Sequence, residues 1–84
     1  MYQKYVDSVV ESCKKDNSYV IMLKWNTIDE AYERISQKGI LIQKIGNMVE
    51  KFQIDDVKLS FYKTGKILLS GVKDIEKFLA KVLE

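Results

Sequence analysis

Few residues in this chain could carry out chemistry. Its 84 residues include no histidine and a single cysteine, Cys13. Histidine general-base catalysis, histidine metal ligation, an intrachain disulfide and a multi-cysteine zinc site are therefore excluded. A nucleophilic Cys13 would need a neighbouring base to form its thiolate, and its place on an apolar stripe suits a small core residue better. Thr64-Gly65-Lys66 invites comparison with a phosphate-binding loop. The Walker pattern, however, needs a glycine where this chain has Ser60 and a Ser or Thr where it has Ile67, so a turn explains the three residues better. Asp55-Asp56 lack further ligands for a cation. Asp29, Glu30 and Glu33 fall in the first turns of an expected helix, where negative charge suits the helix dipole. None of these groups implies a cofactor.

What remains is a set of basic residues. Residues 57–73 carry Lys58, Lys63, Lys66 and Lys73 without an acid, and residues 34–49 carry Arg34, Lys38 and Lys44 without an acid. Lysines sharing a sheet face with Tyr62 could neutralise phosphates and stack a base. The same lysines also suit a solvated face or a blunted edge strand. Bulk charge does not decide, because 14 basic residues against 12 acidic ones leave only +2.

Positioning such a face falls to the surrounding elements. At 46% hydrophobic and 31% charged, the composition is that of one ordinary globular domain spanning 1–84. Tyr2, Tyr5, Val6, Val9, Val10 and Cys13 follow an i, i+3, i+4 stripe and predict an amphipathic helix over 2–15, packed on the sheet. Asp16-Asn17-Ser18 turns the chain. Tyr19–Trp25 is nearly all apolar and predicts a buried central strand, with Trp25 as a core lid. Asn26 or Thr27 can cap the next helix, Thr27 with Glu30 three residues on giving a capping box; the helix runs to about Lys38, where Gly39 fits the C-cap. Residues 40–54 admit two readings. Leu41, Ile45, Met48 and Phe52 match a helix face, whereas Gly46-Asn47 signals a hairpin of strands near 40–45 and 48–54.

The last third is the most regular. Val57, Leu59 and Phe61 alternate with Lys58, Ser60 and Tyr62, which predicts a half-buried strand. Thr64-Gly65 turns into a second strand, Lys66–Ser70, whose Ile67 and Leu69 join the apolar side and whose Lys66, Leu68 and Ser70 join the polar side. Gly71 ends it, and Asp74 caps a final helix marked by Ile75, Phe78, Leu79, Val82 and Leu83. The fold class expected is α+β, an antiparallel β-sheet with helices packed on one face.

The run Tyr62–Lys73 followed by a helix resembles the strand–turn–strand–helix end of one TATA-binding-protein repeat. It is similar also to the end of the small N-terminal accessory domain of ribonuclease HIII, which shares that half-fold. The likeness covers residues 57–84, with Tyr19–Trp25 and the helix to Lys38 standing for the family's first strand and helix. Residues 40–54 would then supply two more strands, and the 2–15 helix is an addition. There is no second repeat, the phenylalanine wedges of the TATA-binding family cannot be placed, and the ribonuclease catalytic domain is missing. The resemblance thus implies an accessory module that binds DNA or RNA through its sheet face, without enzymatic activity.

The expected site is Lys58, Tyr62 and Lys66, with Ser60, Ser70 and Lys24 beside them. The lysines would meet phosphates and Tyr62 would stack. The alternative is an assembly module that forms a homodimer, or docks a protein partner, through its sheet edge or face. No apolar run of membrane-spanning length is present, so no membrane role is expected. A cytoplasmic location agrees with the unpaired cysteine.

Overall fold

The computed structural model describes residues 2–84. A single 3-10 turn, Tyr2–Lys4, leads into β1 (Val6–Cys13) and β2 (Ser18–Leu23). A second 3-10 turn, Trp25–Thr27, opens α1 (Ile28–Lys38). Four strands follow, β3 (Ile40–Ile45), β4 (Val49–Ile54), β5 (Val57–Tyr62) and β6 (Lys66–Ser70), and the chain closes with α2 (Ile75–Leu83). All six strands form one sheet in the order β1-β2-β6-β5-β4-β3, with every pair antiparallel. Both helices pack on the same face, so the architecture is the α+β class expected from the alternation of the last third. Among the described residues, no helix is long and apolar enough to cross a membrane.

The core lies between that face and the helices. Ile21, Leu23, Phe52, Ile54, Val57, Leu59, Phe61, Ile67 and Leu69 rise from the sheet to meet Ala31 and Ile35 of α1 and Phe78, Leu79, Val82 and Leu83 of α2. Period 2 does the sorting. In β5 the buried residues are Val57, Leu59 and Phe61, and Lys58, Ser60 and Tyr62 face away. β4 follows the same rule and settles residues 40–54 as a hairpin. Gly46 supplies the positive φ of its turn at 56°.

Several local expectations are corrected. Residues 2–15 are not a helix. They form the short 3-10 turn and then an edge strand that is exposed along most of its length. Irregularities between Val6 and Ser8 and between Glu11 and Cys13 break the alternation of β1, which is why its apolar residues imitate helical spacing. Tyr5 is deeply buried, but Val9 and Val10 are exposed. Cys13 pairs with Ser18 at the strand's end and is only half-buried. β2 lies inside the sheet, but only Ile21 and Leu23 are buried, because its other face is open.

Trp25 is not a core lid: it sits on the 3-10 turn and is 86% exposed. Thr27 precedes α1 without a side-chain cap. Its hydroxyl donates instead to the carbonyls of Tyr5 and Lys24, at 3.2 and 2.9 Å. Asp74 does cap α2, accepting from the Lys77 N–H at 3.2 Å. The basic cluster at 34–49 divides. Arg34 and Lys38 reach the carbonyl end of α2, donating to the Glu84 carbonyl at 3.4 and 2.8 Å, where cations complement the helix dipole.

The contrast between core and edge is measurable. Ile35→Ala, at a fully buried position, is expected to lower the unfolding free energy by about 2–5 kcal/mol in a urea titration. Val10→Ala on β1 should change it by no more than about 0.5 kcal/mol.

Candidate functional site

The face opposite the helices carries the residues of interest, and the strand register fixes which of them are neighbours. One row crosses all six strands as Val10, Val20, Leu68, Ser60, Lys51 and Gln43. On one side of it, Ser8 pairs with Met22 and Met22 with Lys66, while Tyr62 pairs with Val49 and Val49 with Ile45. On the other side lie Cys13 with Ser18, then Ser70, Lys58, Gln53 and Ile40. No Asp or Glu occupies any of these paired outward positions.

This face is concave. Ser12 on one edge strand and Ile42 on the other line the same hollow of about 380 Å³, with Ser18, Lys51, Lys58, Ser60, Leu68 and Ser70 between them. Both edge residues stand at irregularities, Glu11/Cys13 in β1 and Leu41/Gln43 in β3. A bulge adds a residue to one strand of a pair and sharpens its bend. Two bulges at opposite edges therefore turn both margins over the open face.

The expected residues fall as follows. Lys58, Ser60 and Tyr62 point outward from β5, and Lys66 and Ser70 from β6. Lys66 places its Nζ 4.6 Å from the centre of the Tyr62 ring, so the two act as a cation–π unit. Lys24 stands apart. It follows the last residue of β2, is exposed, and gives its backbone N–H to the Tyr5 carbonyl at 2.7 Å. It shares its end of the sheet with Tyr62, Lys63 and Lys66. The opposite end carries acids, where Asp16 and Asp56 border a hollow together with Lys58 and Ser70.

Lys51, Gln53, Gln43, Ser12 and Ser18 also belong to this face and were not among the expected residues. For β4 the signal was present, because Lys51 and Gln53 alternate with Phe52 and Ile54. It was obscured by Glu50, a polar residue on the buried side.

Glu50 is 7% exposed and would suggest catalysis if it were isolated. It is not isolated. The Tyr32 hydroxyl donates to its Oε1 at 2.6 Å, and Tyr32 packs edge-on against Phe52 and Phe61. The hollow beside them, about 410 Å³, is lined by Ile28, Asp29, Tyr32, Glu50, Phe61 and Lys63. It lies on the helix side, away from the open face. The hydrogen bond to Glu50 raises the Tyr32 pKa above its ordinary 10.0, and burial and the Glu50 charge add to the rise. Among the described residues, no group of three or more His, Cys, Asp or Glu side chains could hold a metal ion.

The folded phenol keeps its proton at a pH where the unfolded one has released it. Its contribution to stability is therefore complete below about pH 10 and declines as pH climbs through the raised value. Tyr32→Phe is expected to cost about 1–3 kcal/mol at neutral pH by leaving Glu50 without its donor. The difference from the native chain should shrink as pH rises through the alkaline range, read by urea unfolding at several pH values.

No family model matches the chain, and no curated protein or solved structure matches it either.

Proposed function

We propose that this domain is a small, non-enzymatic nucleic-acid-binding module that uses the concave face of its sheet. One observation carries the reading: the paired outward positions hold Lys51, Lys58 and Lys66 with serines, glutamines and Tyr62, and no carboxylate. Across its paired positions such a surface attracts a polyanion, because no acid there repels the phosphates. The serines and glutamines offer donors to phosphate and sugar oxygens. The exposed Val10 and Met22 and the half-buried Val20 and Leu68 give bases somewhere to lie.

Tyr62 and Lys66 would work together. The ammonium resting against the ring is a mobile cap, and a phosphate that draws Lys66 away uncovers an aromatic surface for a base. Lys24 extends the positive end, and Asp16 and Asp56 border the other, so a strand would enter from the Tyr62 end.

The resemblance to the TATA-binding half-fold supports the same reading. It implies a strand, a helix, four strands and a helix, which is the order from β2 to α2. β1 is then the addition, as a strand in place of the expected helix.

The test is fluorescence anisotropy with labelled single- and double-stranded oligonucleotides across a salt series. Binding should weaken steeply with salt. Lys51→Ala/Lys58→Ala/Lys66→Ala should flatten the log–log slope by about 2–3, as expected when that many phosphate contacts are lost, with the far-UV circular dichroism unchanged. Absence of binding at about 50 mM salt, or an unaltered slope in the triple variant, would overturn the proposal.

A further inference from the structure

The two margins of the sheet are protected unequally. Two helices, each about 10 Å across, cannot roof six strands spaced about 4.8 Å apart. β1 and β3 are therefore left uncovered on the helix side as well as on the open side. β1 carries the usual protections of an edge, two irregularities and the acids Asp7 and Glu11. β3 has one irregularity and one charge, Lys44, while Ile40, Leu41, Ile42 and Ile45 are all exposed, Ile40 at 70%. A strand that is apolar on both faces and has one free row of backbone N–H and C=O groups is a template for another strand.

We propose that β3 pairs with β3 of a second copy of this chain, antiparallel across a two-fold axis normal to the sheet. This joins the two open faces into one continuous surface. The register follows from the existing ladder. Ile40, Gln43 and Ile45 pair with outward residues of β4, Leu41 and Lys44 pair with inward ones, and Ile42 is the extra residue of the bulge. A two-fold of this kind sets one residue opposite its own copy and matches like side with like side. Centring it on Gln43 satisfies both demands. Ile40 then faces Ile45 of the second copy, and Leu41 faces Lys44, each pair occurring twice.

Charge agrees with this pairing. The two Lys44 side chains stand on opposite sides of the axis, each against a leucine and not against each other. Closure agrees as well. The symmetric pairing uses both apolar edges and leaves outside only the bulged, acidic β1 strands. A β1–β3 pairing would leave one apolar edge free at every step and would grow without limit.

The proposal concerns assembly alone and goes beyond the interface reading, so it is tested without nucleic acid. Size-exclusion chromatography with light scattering, from micromolar to near-millimolar protein, should show a dimer for the native chain and for Val10→Lys. Ile40→Lys/Ile45→Lys should be monomeric with its circular dichroism retained. In a Cys13→Ser background, Gln43→Cys should give a covalent dimer under mild oxidation and Ser8→Cys should not; this readout stands even where the double lysine variant fails to fold. A native chain that is monomeric throughout overturns the proposal, and if that monomer still binds oligonucleotides the interface reading survives without it. A dimer broken by Val10→Lys and spared by the β3 changes overturns it too, as does a polydisperse ladder.

Discussion

The structure depends on one-sided burial of its sheet. Two amphipathic helices supply a single apolar layer, and six strands must present their greasy sides to it in phase. The inward residues Ile21, Ile67 and Phe61 lie side by side across β2, β6 and β5, and Ile35 of α1 joins the same cluster. A slip of one residue in β5 or β6 would send lysine and serine into that layer and leave phenylalanine or isoleucine in water. The lysines and serines that β5 and β6 turn to the open face are thus the complement of the core pattern.

That layer is narrower than the sheet it covers. Along the row through Phe61 the inward positions turn polar toward β4 and β3, with Glu50 beside Phe61 and Lys44 beside Glu50. Tyr32 reaches over this boundary from α1 and satisfies the buried carboxylate while its ring stays in the aromatic cluster. The pair fixes α1 against the middle of the sheet with a directional contact where non-directional packing is running out. Beyond it the strands have neither a roof nor a floor.

Much of this was legible in the residues, most clearly where the alternation was strict. Val57–Tyr62 and Lys66–Ser70 declare both their strands and their two faces, and Gly65 and Gly71, with φ of 99° and 86°, stand where positive φ was needed. Legibility failed wherever a bulge or a satisfied polar residue broke the period. The irregular pairs in β1 spread its valines to helix-like spacing, and the bulge at Ile42 together with Met48 in the turn let Leu41, Ile45, Met48 and Phe52 look like one face of a helix. Trp25 misled for a different reason. Its size suggested burial, but the chain leaves the sheet at Lys24 and turns outward before the indole can reach the core. Lys24 falls outside the paired face for the same reason, whereas Lys51, concealed by the reading of 40–54, lies in its middle row, one strand in from the β3 edge.

The outward turn at Trp25 gives the molecule a reporter it would otherwise lack. This is the chain's single tryptophan, and its indole is already bathed in solvent while the protein is native. Its emission is therefore expected to resemble that of free tryptophan before any denaturant is added, which would make tryptophan fluorescence a poor gauge of global unfolding in this domain. The same placement, next to Lys24 at the cationic end of the sheet, leaves its colour and brightness open to change by whatever settles there.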